Sequence, residues 1–377
     1  MINIKHTLAI LAACALAVCC TKIQQAGPSS PHITYELIQS TQTKAATPYS
    51  TSGKFYSWAW MLQDGKTWAA NKADAQLFID RSVVSYHTPE NAWYSVPDHY
   101  WPHSGYNLTF FAASPSDQLG TAVSCTAADG ITITDWNVND NLGVDIMVAD
   151  IAANKTSGDN QSSGGWAPGV PTIFRHKLSK ISGFTFNLQK DYANSHTEGN
   201  YQRGDITYLL KSVAIKNMPQ KGSYVNALPS ESSIGRWDVV AGGVYDYTWY
   251  NNGTGELIPY ADLKKGETAK SIPANGLGEI QPGVFRSELY LLPQLFKEDG
   301  PTLEITYIKR TYTSRNIYTS SETTASISFY DLFTATNHRL VINRDITFNI
   351  VFNNEANLIT WAPDQQEWGS GDFKIDF

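Results

Sequence analysis

The sequence predicts an all-β protein made of two β-sandwich domains, with few short helices. The chain is rich in aromatic residues, with 11 Trp, 20 Tyr and 15 Phe, and these residue types favour strands. Short segments of alternating apolar and polar residues recur along the chain, separated by Gly, Pro, Asn and Asp, as is typical of sandwiches. The length of 377 residues exceeds one small sandwich and suits two domains.

The first 19 residues have the pattern of an export signal. Lys5 supplies a cationic start, and an apolar run over Thr7–Val18 follows before Cys19 and Cys20. The run is too short to span a bilayer, which takes about 20 residues. A cysteine at the end of such a run is typical of bacterial lipoproteins, so we expect acylation of Cys20. Acylation of Cys19, a shorter signal ending at Cys14, or an ordinary signal peptide are the alternatives.

Cysteine content and charge exclude several classes of site. Beyond residue 19 the chain keeps only Cys20 and Cys125, so a lipid on Cys20 leaves no disulfide pair and no cysteine-based zinc site. The net charge is −7 at pH 7, and no basic stripe is present. Nucleic acid is therefore not an expected partner, and no cofactor is predicted.

A tether, one strand and an exposed loop follow the signal. Residues 20–32 contain Gly, Pro and Ser and predict a short flexible tether. In the next segment, Ile33, Tyr35 and Leu37 share one face, which is the signature of a strand. Residues 41–50 are polar without periodicity, so we expect an exposed loop directly after this first strand.

The rest of the chain divides into two groups of short predicted strands. We assign residues 33–222 to an N-terminal sandwich and residues 223–377 to a C-terminal sandwich, because Pro, Gly and Ser cluster near the join. The sequence also predicts short helices at Lys72–Leu77 and His176–Ile181.

No motif predicts catalysis. The chain lacks H-E-x-x-H, G-x-S-x-G, the phosphate-binding loop and the dinucleotide glycine fingerprint. His99 and His103 have a metal-compatible spacing only on a helix, and Pro102 between them argues against a helix, so no metal site is predicted. We therefore expect a protein that is not an enzyme.

A row of acids leaves one question open. Asp135, Asp140, Asp145 and Asp150 recur every five residues, without the spacing of an EF-hand loop. Solvated loop acids are the favoured interpretation, and calcium binding is the alternative.

Several segments, taken in their order and spacing, resemble the fimbrillins of Bacteroidetes, which are two-domain pilin lipoproteins of type V pili. The segments that carry the resemblance are His99–Pro102, Leu108–Pro115, Val144–Ala149, Phe174–Ile181, Val213–Asn217, Gly222–Tyr224, Leu291–Gln294, Leu303–Tyr307, Ile346–Phe352 and Ile359–Trp361. The resemblance covers the chain from the lipid-modification motif to the end.

The resemblance implies a fold, a location and a mechanism. The fold would be two transthyretin-like β-sandwich domains. A lipoprotein precursor would reach the outer membrane, and a trypsin-like protease would cut the loop after the first strand. The emptied groove would then accept a strand from the next subunit of a surface fimbria. Other pilin subunits, outer-membrane lipid, and host or microbial surface ligands are the implied partners.

Applied to this chain, the resemblance points to particular residues. Lys44 and Ala45 lie in the loop where the family usually carries Thr-Arg-Ala, so processing is expected between them. Loss of Ile33, Tyr35 and Leu37 would remove about 5–9 kcal/mol of burial, against a whole-domain stability of about 5–15 kcal/mol. A subunit cut in this way would have a strong drive to take a replacement strand.

The sequence departs from the family at the processing loop. No arginine lies between Cys20 and Arg81, so cleavage there requires a protease that also accepts lysine, at Lys44 or Lys54. Alternatively the subunit is never cut and stays lipidated, as an anchor would.

The end of the chain is the candidate donor strand. Phe373, Ile375 and Phe377 alternate with charged residues, which suits either a donor or an ordinary terminal strand.

Two other functions compete with the pilin interpretation. A glycan-binding surface lipoprotein would need exposed aromatic residues, and Trp68, Trp93, Trp166 and Trp249 would have to form an exposed row. A hydrolase would need two carboxyl groups facing each other in a cleft at about 5–10 Å.

Overall fold

The computed structural model describes residues 31–38, 49–160, 169–189, 199–226, 235–240, 242–258, 260–261, 270–282, 284–353 and 358–367. Strands dominate this part of the chain, and the helices are single turns of four residues. Cys20, Lys44, Ala45, Phe373, Ile375 and Phe377 lie outside the described residues.

The strands and helices have the following bounds. The first eleven strands are β1 (Tyr35–Leu37), β2 (Lys54–Gln63), β3 (Gln76–His87), β4 (Ala92–Ser95), β5 (Tyr106–Ser114), β6 (Val123–Thr126), β7 (Gly130–Asn137), β8 (Met147–Ala149), β9 (Ala152–Lys155), β10 (Val170–Thr172) and β11 (Phe174–His176). The next sixteen are β12 (Ser179–Gln189), β13 (Ile206–Pro219), β14 (Lys221–Val225), β15 (Arg236–Val239), β16 (Val244–Leu257), β17 (Tyr260–Ala261), β18 (Lys270–Ile272), β19 (Glu279–Gln281), β20 (Val284–Phe285), β21 (Leu289–Leu291), β22 (Gln294–Leu295), β23 (Thr302–Ser314), β24 (Ile317–Ser328), β25 (Arg339–Leu340), β26 (Arg344–Asn353) and β27 (Leu358–Glu367). The α-helices are α1 (Trp68–Asn71), α2 (Ser116–Leu119) and α3 (Phe329–Leu332).

The first sandwich pairs a large sheet with a small one. The large sheet has nine strands in the order β10-β1-β4-β3-β2-β5-β8-β11, with β9 also on β5, and the small sheet runs β15-β14-β7-β6. Successive side chains of a strand point to opposite faces, so the two faces of β5 contribute to two different hydrophobic clusters. Phe111 packs with Trp58, Ile133 and Tyr224 between the sheets, whereas Phe110 belongs to a separate cluster that contains β1.

The second sandwich encloses one larger core. One sheet runs β17-β12-β26-β27, and the facing sheet runs β16-β13-β23-β24. Phe184 of β12 stacks on Phe348 of β26 with ring centroids 5.0 Å apart, and it also lies 5.0 Å from the ring of Trp249 on β16. These contacts join the two sheets through buried aromatic rings.

The chain passes between the sandwiches more than once. β12 and β13, which span residues 179–219, pair with strands of the C-terminal half, and β14 and β15 then return to pair with β7 of the first sandwich. The observed organisation therefore differs from a division into 33–222 and 223–377. Alternating patterns mark these segments as strands but do not state their partners, because strand pairing is set by distant residues.

The expectation of an all-β chain with β-sandwich domains and few short helices is confirmed. The helix predicted at His176–Ile181 is wrong, because His176 ends β11 and Ser179 begins β12. The helix predicted at Lys72–Leu77 is displaced: α1 precedes it, a 3-10 turn covers Lys72–Asp74, and β3 begins at Gln76.

A lysine is buried where the chain first crosses between the sandwiches. Lys177 has no exposed surface, and its backbone N–H donates to the Ile146 carbonyl at 2.8 Å. The indole N–H of Trp237 donates to the Lys177 carbonyl at 2.6 Å, and the ammonium lies 5.8 Å from the ring centre of Tyr224. Burial lowers the pKa of Lys177 to about 7.

This lysine predicts a particular dependence of stability on pH. Its folded pKa is about 7 and its ordinary value is 10.5, so the unfolded chain binds more protons between these values and stability rises with pH across that window. Lys177→Met removes the ionisable group, so the variant should have a higher free energy of unfolding than the native chain at pH 7. This difference between the two proteins should be smaller at pH 10. Denaturant unfolding at several pH values measures this, with the exposed Lys297→Met as the control. An unchanged pH slope in Lys177→Met would contradict the assignment.

Candidate functional site

The first strand lies inside a sheet. β1 pairs in parallel with β10, with Tyr35 opposite Val170, and antiparallel with β4, with Tyr35 opposite Trp93. Among the described strands, β10 is joined to the large sheet through β1 alone. Removal of β1 would therefore open a slot with unpaired backbone groups on both sides, and we call this slot the first-strand groove.

Side chains of the first strand fill the cluster beneath this groove. Ile33 is 2% exposed, Tyr35 is 4% exposed, and Leu37 is half-buried. The Tyr35 ring packs edge-on against Phe55 and Phe110, with centroids 5.5 and 6.0 Å away. Its hydroxyl donates to Ser57 Oγ at 2.9 Å, and burial raises the pKa of Tyr35 well above its usual range. The tyrosine is held as a neutral, hydrogen-bonded core residue.

Backbone hydrogen bonds hold the strand on both sides. The Ile33 N–H donates to the His99 carbonyl at 2.8 Å, and the Val170 N–H donates to the Thr34 carbonyl at 2.7 Å. The Ile38 N–H donates to the Thr172 carbonyl at 3.1 Å. These bonds involve Ile33, Thr34 and Ile38, which lie outside β1. Hydrogen bonds therefore hold a segment that is longer than β1.

The backbone of the first strand passes very close to Gly169. A Cβ atom at this position would lie 2.4 Å from the carbonyl carbon of Thr34 and 2.4 Å from the nitrogen of Tyr35. Both neighbours are backbone atoms, so neither can rotate away. Sequence reasoning missed this residue because it lies at the end of a Gly- and Ser-rich stretch that has the composition of an ordinary surface loop.

Tyr49 holds the chain in place where the described residues resume after Ile38. Its ring stacks on Phe174 at 5.1 Å, and its hydroxyl shares a hydrogen bond of 2.7 Å with Ser114 Oγ. Tyr49 and Leu37 both pack against the same cluster. Leu37 and Tyr49, whose side chains are packed, therefore lie on either side of the segment that contains Lys44 and Ala45.

The tryptophans proposed for a glycan platform are mostly buried. Trp68 is 6%, Trp93 is 8% and Trp249 is 2% exposed, and the indole of Trp249 donates to the Ile272 carbonyl at 3.0 Å. Trp166 lies outside the described residues. The three described members cannot form an exposed row, so the expectation of a sugar platform built on them is wrong. Their large rings stabilise the cores instead.

The row of acids does not converge on one point. Asp150 forms a bidentate pair with Arg175, with Nε at 2.8 Å from Oδ1, and Asp145 approaches His176 at 2.8 Å. Asp140 accepts from the Asn137 amide at 2.9 Å. In the part of the chain that is described, no group of three or more His, Cys, Asp or Glu side chains is placed to hold a metal ion.

Comparison with known proteins identifies the family. A family model described as fimbrillin-like matches residues 43–364. No curated protein sequence matches significantly. A fimbrial protein from Bacteroides vulgatus has a similar structure, with a TM-score of 0.54 and 16% identity over 90% of this chain and 99% of that chain. The C-terminally truncated tip fimbrial protein Mfa3 from Porphyromonas gingivalis matches with a TM-score of 0.35 and 9% identity, over 84% of this chain and 94% of that chain.

The two-sandwich fold and the match over most of the chain define a fimbrial type of protein. The chain belongs to the fimbrillin-like family, and the resemblance noted in the sequence is confirmed. The family is a structural fimbrial type, which places the protein among subunits of cell-surface appendages. None of the described helices has the length and apolar character that a membrane crossing requires.

The close approach at Gly169 gives a direct test of how the first strand is held. Gly169→Ala should weaken the docking of residues 33–37 by about 1–3 kcal/mol, because the new methyl group overpacks fixed backbone. Hydrogen exchange of the first strand should speed up while exchange in the second sandwich stays unchanged. Gly158→Ala is the control, since the atom nearest to its Cβ is 3.7 Å away. Equal exchange in both variants would rule out the steric role of Gly169.

Proposed function

We propose that the protein is a structural subunit of a surface fimbria, without enzymatic activity, and that subunits join by exchange of the first strand. The observation that supports this proposal is the position of β1 between β10 and β4, inside the sheet. A strand in the interior of a sheet satisfies backbone groups on two neighbours. Its removal would leave a groove that a strand of another subunit can fill by β-augmentation.

The energetics favour replacement of the strand over an empty groove. Burial of Ile33 and Tyr35 alone is worth about 3–6 kcal/mol, to which the backbone bonds to His99 and Val170 add. This is a large fraction of a domain stability of about 5–15 kcal/mol. An opened subunit would thus be unstable until a new strand arrives, so cleavage is coupled to polymerisation.

Processing between Lys44 and Ala45 would release the first strand while leaving the rest of the cluster in place. Tyr49 lies beyond the cut and keeps its contacts with Phe174 and Ser114. The new N-terminus would then start a few residues before an anchored tyrosine. A protease that accepts lysine is needed, because the loop holds no arginine.

The donor in this proposal is the C-terminal segment with Phe373, Ile375 and Phe377. These residues alternate with Lys374 and Asp376, so one face of an extended strand would be apolar, as the first-strand groove requires. The precursor would reach the outer membrane through a lipid on Cys20. Partners would be other pilin subunits, and the assembled fimbria would contribute to adhesion to host or microbial surfaces.

Limited digestion tests the coupling of cleavage to assembly. A lysine- and arginine-specific protease should cut the folded protein first after Lys44, and oligomers should then grow in native mass spectra. Lys44→Ala should remain uncut in this loop and monomeric, whereas Lys54→Ala should behave like the native chain. Ile375→Asp should be cut normally but should not elongate, since a charge would enter the apolar groove. A cut subunit that stays monomeric and keeps its first strand would instead indicate an anchor.

Lipidation is tested separately. Cys20→Ser should abolish labelling by a radioactive fatty acid and move the protein out of the outer-membrane fraction, because a thiol at this position is required for acylation. Cys19→Ser is the matched control and should retain the label. Loss of label in Cys19→Ser alone would reassign the lipidated residue.

A further inference from the structure

The end of the second sandwich that lies farthest from the first sandwich carries a surface of arginine and tyrosine. β13 continues through Gln220 into β14 of the first sandwich, so the Pro219 end of β13 adjoins that domain. At about 3.3 Å per residue, the length of β13 places Ile206 roughly 40 Å from this junction. We call the surface at the Ile206 end the distal pole. It consists of residues from the loop 199–205, the end of β23 and the start of β24, namely Tyr201, Arg203, Arg310, Tyr312, Arg315 and Tyr318.

Hydrogen bonds and ring contacts hold the distal pole in one shape. The Asn316 N–H donates to the Tyr201 carbonyl at 3.0 Å, which fastens the loop to the turn between β23 and β24. The ring centroid of Tyr312 lies 4.6 Å from that of Tyr201 and 5.3 Å from that of Tyr318. The guanidinium carbon of Arg310 lies 4.5 Å from the ring centre of Tyr318. Side chains that are already held in place lose little conformational freedom when a partner binds, so the distal pole is suited to form an interface.

The distal pole is a basic surface on an acidic chain. Arg203 and Arg315 are exposed, Arg310 is half-buried, and none of the three forms an ion pair with the described residues. Residues 306–320 contain three Lys or Arg and no Asp or Glu, although the net charge of the whole chain is −7. Tyr318 is 40% exposed. Arginine and tyrosine are enriched at protein interfaces and contribute much of their binding energy, so this composition points to an acidic protein partner.

The chain itself carries the complementary surface. Residues 54–176, which form most of the first sandwich, contain twelve Asp or Glu and six Lys or Arg. Asp80, Asp117 and Asp129 are exposed and form no ion pair with the described residues. Guanidinium groups bind carboxylates through paired hydrogen bonds. Within one molecule the distal pole and the first sandwich lie on opposite sides of the junction, so these two surfaces can meet only between two copies.

We propose that the distal pole of one molecule binds the acidic first sandwich of a second copy. The contact joins two different surfaces, so each molecule keeps one of each for a further neighbour and the contact repeats along a row of subunits. It is made by side chains and needs neither cleavage after Lys44 nor removal of the first strand. It therefore does not rest on strand exchange. In a fimbria it holds the second sandwich of one subunit against the first sandwich of the next.

Sedimentation velocity of the purified, uncut protein tests this contact at low and at high salt. We expect reversible self-association at about 0.02 M NaCl and association at least about tenfold weaker at about 0.5 M, because salt screens exposed charges. Arg315→Glu should weaken association at low salt by about tenfold, since a negative charge would then face carboxylates. Lys297→Glu makes the same change of charge at an exposed lysine elsewhere and should associate like the native protein.

Chemical cross-linking of Arg315→Lys locates the partner surface. A carbodiimide couples the new amine to a carboxylate in direct contact, and a mixture of isotope-labelled and unlabelled protein identifies links between two copies by mass spectrometry. We expect links to Asp or Glu residues between positions 54 and 176.

Several outcomes would overturn the proposal. These are equal weakening by Arg315→Glu and Lys297→Glu, association that does not respond to salt, and links confined to the second sandwich. Native protein that stays monomeric at low salt but binds heparin would assign the distal pole to an acidic glycan. Uncut protein that is monomeric but polymerises after cleavage would reject this contact and leave strand exchange in place.

Discussion

The insertion of β1 between β10 and β4 is the contact on which the organisation of the first sandwich depends. A strand in the interior of a sheet satisfies backbone groups on two neighbouring strands, and β1 does so for β10 and β4. Its side chains complete the aromatic cluster around Phe55, and its backbone joins β10 to the sheet. The same contact therefore contributes buried side chains to the cluster and backbone hydrogen bonds to the sheet.

Local patterns were sufficient to predict strands, the first strand in particular. The alternation of Ile33, Tyr35 and Leu37 predicted a strand with one apolar face, and the first two of these side chains are buried. Local patterns carry no information about which distant residues pair. The position of residues 179–219 in the second sandwich and the close approach at Gly169 were therefore not predictable. The helix at His176–Ile181 failed for a related reason, because charged residues beside apolar ones suit a helix as well as short strands at a domain crossing.

Aromatic content also had two interpretations that the sequence could not separate. Tryptophans near strand patterns suit both an exposed sugar platform and a packed core, since the residue type is the same and only exposure differs. The burial of Trp68, Trp93 and Trp249 favours the core interpretation for these three residues. The cavity lined by Asn139, Tyr247 and Arg286 had no local signal either, because these residues are far apart in the chain and meet only after both sandwiches form.

The return of β14 and β15 to the first sandwich has a consequence during synthesis. Trp58 needs Tyr224 and Trp237 to complete its core, and Trp237 is made about 180 residues later. At roughly 5–20 residues per second, the early strands wait about 10–40 s with apolar faces uncovered. A chain exported as proposed above would have to stay unfolded through that interval, because its early strands could pair with wrong partners before residue 239 is available.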